Sequence, residues 1–213
     1  MEYSALIVAA GQGKRMGLGY NKVFYPLKEG STVLQKTVAI FLEDKRCKQI
    51  VVVMNQDDMS RCIMENDSGK ILYVLGGERR QDSVMNGLMA VSEDYVLIHD
   101  GARPFLSKEA INQILEALRT EQACLLAVAA KDTIKEIKDG YVVKTLQRSD
   151  LVQAQTPQAF HTEFILACYK KAGDRGFIVT DDAQVVELVS DVKIKVVEGD
   201  YQNIKITTMT DVL

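Results

Sequence analysis

Leu6-Ile7-Val8-Ala9-Ala10-Gly11-Gln12-Gly13-Lys14-Arg15-Met16-Gly17, followed at a short distance by Lys22, decides the fold. An apolar run empties into a glycine loop that carries cations. Gly11 and Gly13 let the backbone approach a ligand closely, and successive N–H groups in such a loop form an anion-binding concavity. Arg15 and Lys22 add the charge that suits a polyphosphate. Two familiar phosphate loops do not fit. The dinucleotide fingerprint requires a third glycine where Met16 stands, and the Walker loop requires Gly-Lys-Ser/Thr, which is missing. Two glycines alone would read as a plain strand-to-helix turn; the neighbouring cations favour a nucleotide site at the end of the first strand.

Working outward, apolar runs at residues 5–10, 50–54, 71–75, 95–98 and 123–129 read as strands buried on both faces. Amphipathic segments lie between them. In residues 31–43, Val33, Leu34, Thr37, Val38, Phe41 and Leu42 share one side, with Ser31 or Thr32 as N-cap. Residues 80–91, 108–119 and 162–172 follow the same period. This alternation predicts an α/β fold of Rossmann-like type, a mostly parallel sheet flanked by helices, in a single domain spanning residues 1–213. Ligands of such sheets sit at the carboxyl ends of the strands, where the loops at 11–22, 76–80 and 99–104 fall.

Residues 131–150 break the rhythm. Alternating runs flank Asp139-Gly140, a strong hairpin signal. The outer half is too polar for a core, so it reads as a β-hairpin arm leaving the sheet and clasping a second subunit; a solvated hairpin is the bland alternative.

Composition narrows the partners. Of 213 residues, 47% are hydrophobic, and the net charge is -3. A mildly acidic chain has no bulk attraction to nucleic acid or to an anionic membrane, so phosphate must be gripped locally. No apolar run approaches the roughly 18–20 residues of a membrane span, and the N-terminus lacks a signal-peptide pattern. Cys47, Cys62, Cys124 and Cys168 have no metal-site spacing, which suits reduced thiols in the cytoplasm.

Further chemistry is spread along the chain. In Gly76-Gly77-Glu78-Arg79-Arg80-Gln81-Asp82-Ser83, the backbone at Gly77 and Glu78 is placed to read a base edge, and Ser83 to donate to it. Gly87, inside a helix, points to close packing against a neighbour or ligand. In His99-Asp100-Gly101-Ala102-Arg103-Pro104, Asp100 is the candidate Mg²⁺ ligand and Arg103 the grip for a second anion, while His99 reads as structural. An N-cap or loop-closing role is the plain alternative for Asp100. Thr180 reads as a helix cap. Lys205 sits in an apolar-alternating stretch that reads as a strand, where an inward lysine needs an anionic partner. No nucleophile with a paired base stands out. That suits a phosphate monoester as nucleophile, since it is already ionised near neutral pH, attacking a nucleotide α-phosphorus with release of pyrophosphate.

Seven blocks, in order, resemble the 2-C-methyl-D-erythritol 4-phosphate cytidylyltransferases of non-mevalonate isoprenoid synthesis. They are Ala9-Ala10-Gly11-x-Gly13-x-Arg15-Met16 with Lys22, Gly76-Gly77-Glu78-Arg79-x-x-Ser83-Val84-x-x-Gly87, His99-Asp100-x-Ala102-Arg103-Pro104, Asp132-Thr133-Ile134-Lys135, Gln155-Thr156-Pro157-Gln158-x-Phe160, Thr180-Asp181-Asp182-Ala183 and Asn203-Ile204-Lys205-Ile206-Thr207. The resemblance implies a homodimer that transfers CMP from CTP to a sugar-alcohol phosphate, with the arm completing the neighbouring site. It implies catalytic roles for Arg15, Lys22 and Lys205. Nucleotide contacts fall to Ala9, Ala10, Gly11, Gly13, Gly77, Glu78, Ser83 and Gly101. Sugar-phosphate contacts fall to Arg103, Thr133, Arg148, Thr156 and Thr180, with Asp100 binding Mg²⁺. Gly101 replaces the family's usual alanine, and Asn21-Lys22-Val23 replaces its usual Pro-Lys-Gln. Ribitol-5-phosphate cytidylyltransferase is the near alternative; that branch carries a cysteine in the Thr-Asp-Asp-Ala block, where Asp182 stands here. A catalytically silent nucleotide-binding regulator is the alternative from another class.

Overall fold

In the computed structural model, which describes residues 1–11, 16–60, 62 and 69–212, β1 (Tyr3–Val8) lies inside a seven-stranded sheet. Beside it, β2 (Cys47–Met54) and then β3 (Ile71–Leu75) run parallel on one side, and β4 (Tyr95–Asp100) runs parallel on the other. Beyond β4 comes β8 (Val152–His161), antiparallel to both β4 and β5 (Ala123–Ala129), and β9 (Lys195–Glu198) closes the edge parallel to β5. The order β3-β2-β1-β4-β8-β5-β9 thus reverses direction of growth beside β1, the kind of switch point that opens a crevice at strand ends.

Successive strand residues feed opposite faces. Ala5, Ile7, Ile50, Val52 and Met54 pack with α1 (Val33–Glu43) and α4 (Lys108–Ala117). Leu6, Val51 and Val53 pack with α3 (Arg80–Leu88), α5 (Thr162–Asp174) and α6 (Asp182–Val189) on the other face. A short α2 (Gln56–Met59) follows β2. Thr32 caps α1 in a reciprocal box with Gln35, so the helix starts at Val33. Within α3, a Cβ on Gly87 would meet Val53 Cγ2 at 2.7 Å and Leu6 at 2.9 Å. Its absence lets the helix settle onto the sheet; the neighbour is protein, not ligand.

The structure corrects the readings of β3 and of the helix ends. β3 is an edge strand with Leu72 and Leu75 exposed, not one buried on both faces. α3 ends at Leu88 rather than at 91.

The arm pairs β6 (Lys135–Lys138) with β7 (Tyr141–Thr145) in a separate two-stranded sheet. Its turn takes left-handed backbone at Asp139 (φ 51°) and Gly140 (φ 84°), the geometry an Asp-Gly hairpin favours. Every residue of both strands is exposed. Ile137, Tyr141, Val142 and Val143 therefore face outward.

Candidate active site

Three loops meet at the carboxyl edge. Val8 ends β1 and leads into Ala9, Ala10 and Gly11; Gly77, Glu78, Arg79, Arg80 and Ser83 come after β3; Asp100 ends β4 and Ala102 comes after it. Joined by Asn21, Lys22, Val23, Lys205 and Thr207, they line a cleft of about 420 Å³. Gly76 sets how closely two of the loops approach. A Cβ there would lie 2.6 Å from Ala10 Cβ and 2.9 Å from Ser83 Oγ.

Ser83 Oγ accepts from Gly77 N at 3.1 Å and donates to Arg79 O at 3.1 Å. It pins the glycine loop to the first turn of α3, so the Gly77–Glu78 backbone is presented in one conformation. Lys22 is fixed by its neighbour. Asn21 Nδ2 donates to Ala9 O and to Asp58 Oδ2, both at 2.8 Å, and Asn21 Oδ1 accepts from Val23 N. Asn55 Nδ2 donates to the same Asp58 oxygen. The turn that carries Lys22 is thereby clipped to the mouth of the glycine loop.

Asp100 is the electrostatic centre. Lys205 Nζ lies 2.8 Å from Oδ2, Arg103 Nε 3.5 Å from Oδ2 and Arg80 Nε 3.7 Å from Oδ1. Burial pushes the Asp100 carboxyl up, but Lys205, Arg80 and Arg103 outweigh it and hold the group well below the usual carboxylate range. Its backbone N donates to Thr156 Oγ1 at 3.0 Å. Beneath, His99 is fully buried, with Nε2 at 3.1 Å from Arg103 O and Nδ1 at 3.1 Å from Thr156 Oγ1. A carbonyl only accepts, so Nε2 carries the proton and Nδ1 accepts from the threonine hydroxyl. Burial lowers the imidazole to about 4, which keeps it neutral. Its structural reading fits this geometry.

The family model for 2-C-methyl-D-erythritol 4-phosphate cytidylyltransferase matches residues 3–213. The chain belongs to that family. A relative of that name from Bacillus mycoides is 42% identical over 219 residues, covering 99% of this chain and 95% of the relative. One from Geobacillus kaustophilus is 42% identical, covering 100% and 95%. Among solved structures, the 4-diphosphocytidyl-2C-methyl-D-erythritol synthase of Anaerococcus prevotii superposes with a TM-score of 0.87 at 39% identity, covering 99% of this chain and 94% of that one. The cytidylyltransferase of Thermus thermophilus gives 0.82 at 30%, covering 100% and 96%.

Of the residues singled out from the sequence of this cytidylyltransferase family member, Ala9, Ala10, Gly11, Lys22, Gly77, Glu78, Ser83, Asp100 and Lys205 share the cleft. Gly13 and Arg15 lie outside the described residues. Gly101 sits just below, its N donating to Val8 O at 2.9 Å. Arg103 and Thr156 lie under Asp100, and Arg103 Nη1 also donates to Asn203 O at 2.7 Å. Thr133 and Arg148 are exposed on the arm and do not line the cleft of their own chain. Thr180 is exposed and bonds Gln184 Oε1; the cap of α6 is Asp181, which accepts from Gln184 N. That corrects the capping assignment. Lys205 also departs from expectation: no strand forms there, and its segment is tied down by Ile206 N donating to Ala102 O. Its anionic partner, however, is present as Asp100.

Sequence reasoning missed Arg80 and Asn21. Asn21 stood beside Lys22 as a departure from the usual loop, and a polar residue in place of proline was the available signal. Arg79 and Arg80 are adjacent cations, and nothing local marks the second as the one that turns inward.

Proposed function

We propose that the protein transfers CMP from CTP to 2-C-methyl-D-erythritol 4-phosphate and releases pyrophosphate. The observation that carries this is the meeting of Lys22, Asp100 and Lys205 on one cleft beside a glycine loop, in a chain of the cytidylyltransferase family. A phosphate monoester oxygen attacks the α-phosphorus of CTP. The new P–O bond forms as the bond to the β-phosphate oxygen breaks, and the electron pair leaves on pyrophosphate. No base is needed, because the attacking oxygen is already ionised near neutral pH. What the chain supplies is alignment and positive charge.

Lys22 and Arg15 neutralise charge that grows on the triphosphate in the transition state. Ala9, Ala10, Gly11, Gly13 and Gly101 cradle the nucleotide, and Gly77, Glu78 and Ser83 hold the cytosine. Lys205 orients the sugar phosphate, with Thr180 and with Arg103 and Thr156, which act from beneath Asp100. Among the described residues no cluster of three or more metal-ligating side chains occurs. A single buried carboxylate at a phosphate cleft still fits Mg²⁺, which is held by one or two carboxylates plus substrate phosphates. Asp100 would hold it; when bound, the ion neutralises phosphate charge.

The working unit is a homodimer in which Thr133 and Arg148 from a second copy complete the site. The outward-facing Ile137, Tyr141, Val142 and Val143 support it, since exposed apolar side chains gain by burial against a partner. Residues 1–213 form one nucleotidyltransferase domain with its arm at 131–150. Among the described residues no helix is long and apolar enough to cross a membrane. The four free, buried cysteines and a nucleotide substrate support a cytoplasmic setting.

Pyrophosphate release with CTP is the test. Turnover with methylerythritol phosphate and at least about tenfold less with ribitol 5-phosphate is expected. Preference for ribitol 5-phosphate would overturn the substrate. CTP binding without turnover on either would return the silent-regulator reading.

A further inference from the structure

Arg80 stands between two carboxylates and contacts them unequally. Nη1 and Nη2 form a fork on Asp182, 2.9 Å to Oδ1 and 2.7 Å to Oδ2. Nε reaches Asp100 Oδ1 only at 3.7 Å. Asp182 is fully buried on the first turn of α6, and Tyr169 of α5 donates its hydroxyl to Asp182 Oδ1 at 2.6 Å. Two helices on one face of the sheet therefore fix the plane of a guanidinium that lines the cleft on the carboxyl edge. A bidentate carboxylate contact sets orientation as well as energy.

We propose that Asp182 is a leash on Arg80: by occupying the fork of the guanidinium, it stops Arg80 from closing on Asp100 and so leaves Asp100 Oδ2 to Lys205 and the cleft. Arg80 and Asp182 are positioning residues for the transfer, and the inference rests on the cytidylyltransferase reading above. Without the leash, the other carboxylate within reach of Arg80 is Asp100, already 3.7 Å from its Nε. A fork there would compete with Lys205, now at 2.8 Å, and with whatever the carboxylate holds during turnover. Arg103, the third cation facing Asp100, keeps Nη1 on Asn203 O and holds its Nε 3.5 Å from Asp100 Oδ2.

The test is a sign change between single and double variants. Asp182→Asn keeps the shape and removes the charge. It is expected to lower kcat at least about tenfold per folded molecule, with the CTP dissociation constant, read by calorimetry, moving less than about threefold. Adding Arg80→Gln removes the group that swings. The double variant is expected to be more active than Asp182→Asn alone. In a crystal structure of Asp182→Asn, Arg80 is expected to close to about 3 Å from Asp100. Tyr169→Phe, a milder change to the same anchor, gives the same two readouts if Asp182→Asn does not fold. A single variant with wild-type kcat, a double variant no better than the single, or an Arg80–Asp100 distance that stays near 3.7 Å would each overturn the leash. Failure of the function reading looks different: the unmodified protein would not turn over sugar phosphate, while the Arg80–Asp100 distance in the variant crystals would still report on the leash.

Discussion

Lys205 and Asp100 form an ion pair at the cleft, with Nζ 2.8 Å from Oδ2, although they lie more than a hundred positions apart in the chain. The lysine sits on a segment tied to the β4 loop by Ile206 N donating to Ala102 O, and the carboxylate ends the strand beside the switch point. Each neutralises the other where two phosphorylated reactants are proposed to meet. Removing the lysine leaves the carboxylate facing a phosphate dianion.

Lys205→Ala is therefore expected to raise the KM for the sugar phosphate by about tenfold or more while moving the KM for CTP much less. Lys205 is partly exposed, so solvent screens the pair and the melting temperature is expected to shift little. Steady-state kinetics with each substrate varied in turn decides it. Equal increases in both KM values would contradict the assignment.

Asn21 is expected to act through Lys22. Asn21→Ala takes the amide donor from Ala9 O and leaves Asp58 Oδ2 with Asn55 Nδ2, a cost of about 1–3 kcal/mol in stability. It also frees the turn, so kcat should fall about tenfold. Asn21→Asp should be worse, because a carboxylate would then face Asp58 at the 2.8 Å of the present hydrogen bond. Thermal melts and kcat, measured together, check this; an Asn21→Ala protein with unchanged kcat would show that the clip does not position Lys22.

His99 gives the fold a pH dependence whose sign can be worked out. Burial lowers its folded-state value to about 4, whereas an unfolded histidine titrates near 6.5. Between those values the unfolded chain binds the extra proton, so stability rises with pH across that window and is flat above it from this group. The full swing is about 3 kcal/mol. Asp100 acts in the same direction at lower pH: its depressed value contributes stability above the unfolded carboxylate range and loses it as pH falls below about 4. Unfolding curves from pH 4 to 7 should be steeper in the wild type than in His99→Gln. Identical slopes would contradict a buried neutral imidazole.

The arm should report on assembly. Tyr141→Lys with Val143→Lys adds charge beside its exposed apolar side chains and is expected to convert the proposed dimer to a monomer in sedimentation, with loss of most activity. An Arg148→Ala protein mixed with an Arg15→Ala protein should regain part of the activity after subunit exchange. No recovery after verified exchange would contradict sites shared across the dimer.

Much of this was legible in the sequence because it is local. The apolar run into Gly11, the period of residues 33–43 and the Asp139-Gly140 turn each specify their element without distant help. What was not legible depends on partners far along the chain. Residues 152–161 form one antiparallel strand, yet Gln155, Thr156 and Gln158 look too polar for a buried one. They are satisfied by Asp200 O, by His99 and by Asp181 respectively. Asp181 rather than Thr180 caps α6 because that aspartate also accepts from Gln158. Arg80 rather than Arg79 turns inward because Asp182 waits for it, while Arg79 pairs with Asp82 on its own helix. Leu72 and Leu75 look like core residues until the sheet order places β3 at an edge.

The central claim is that one electropositive cradle at the carboxyl edge receives the triphosphate. A crystal structure with CTP and Mg²⁺ tests it most directly. The base should lie against Gly77, Glu78 and Ser83, and the phosphates should lie over the loop that starts at Gly11, with Lys22 Nζ within about 3 Å of a phosphate oxygen. A nucleotide bound outside this cleft, or Lys22 turned to solvent with CTP in place, would contradict it.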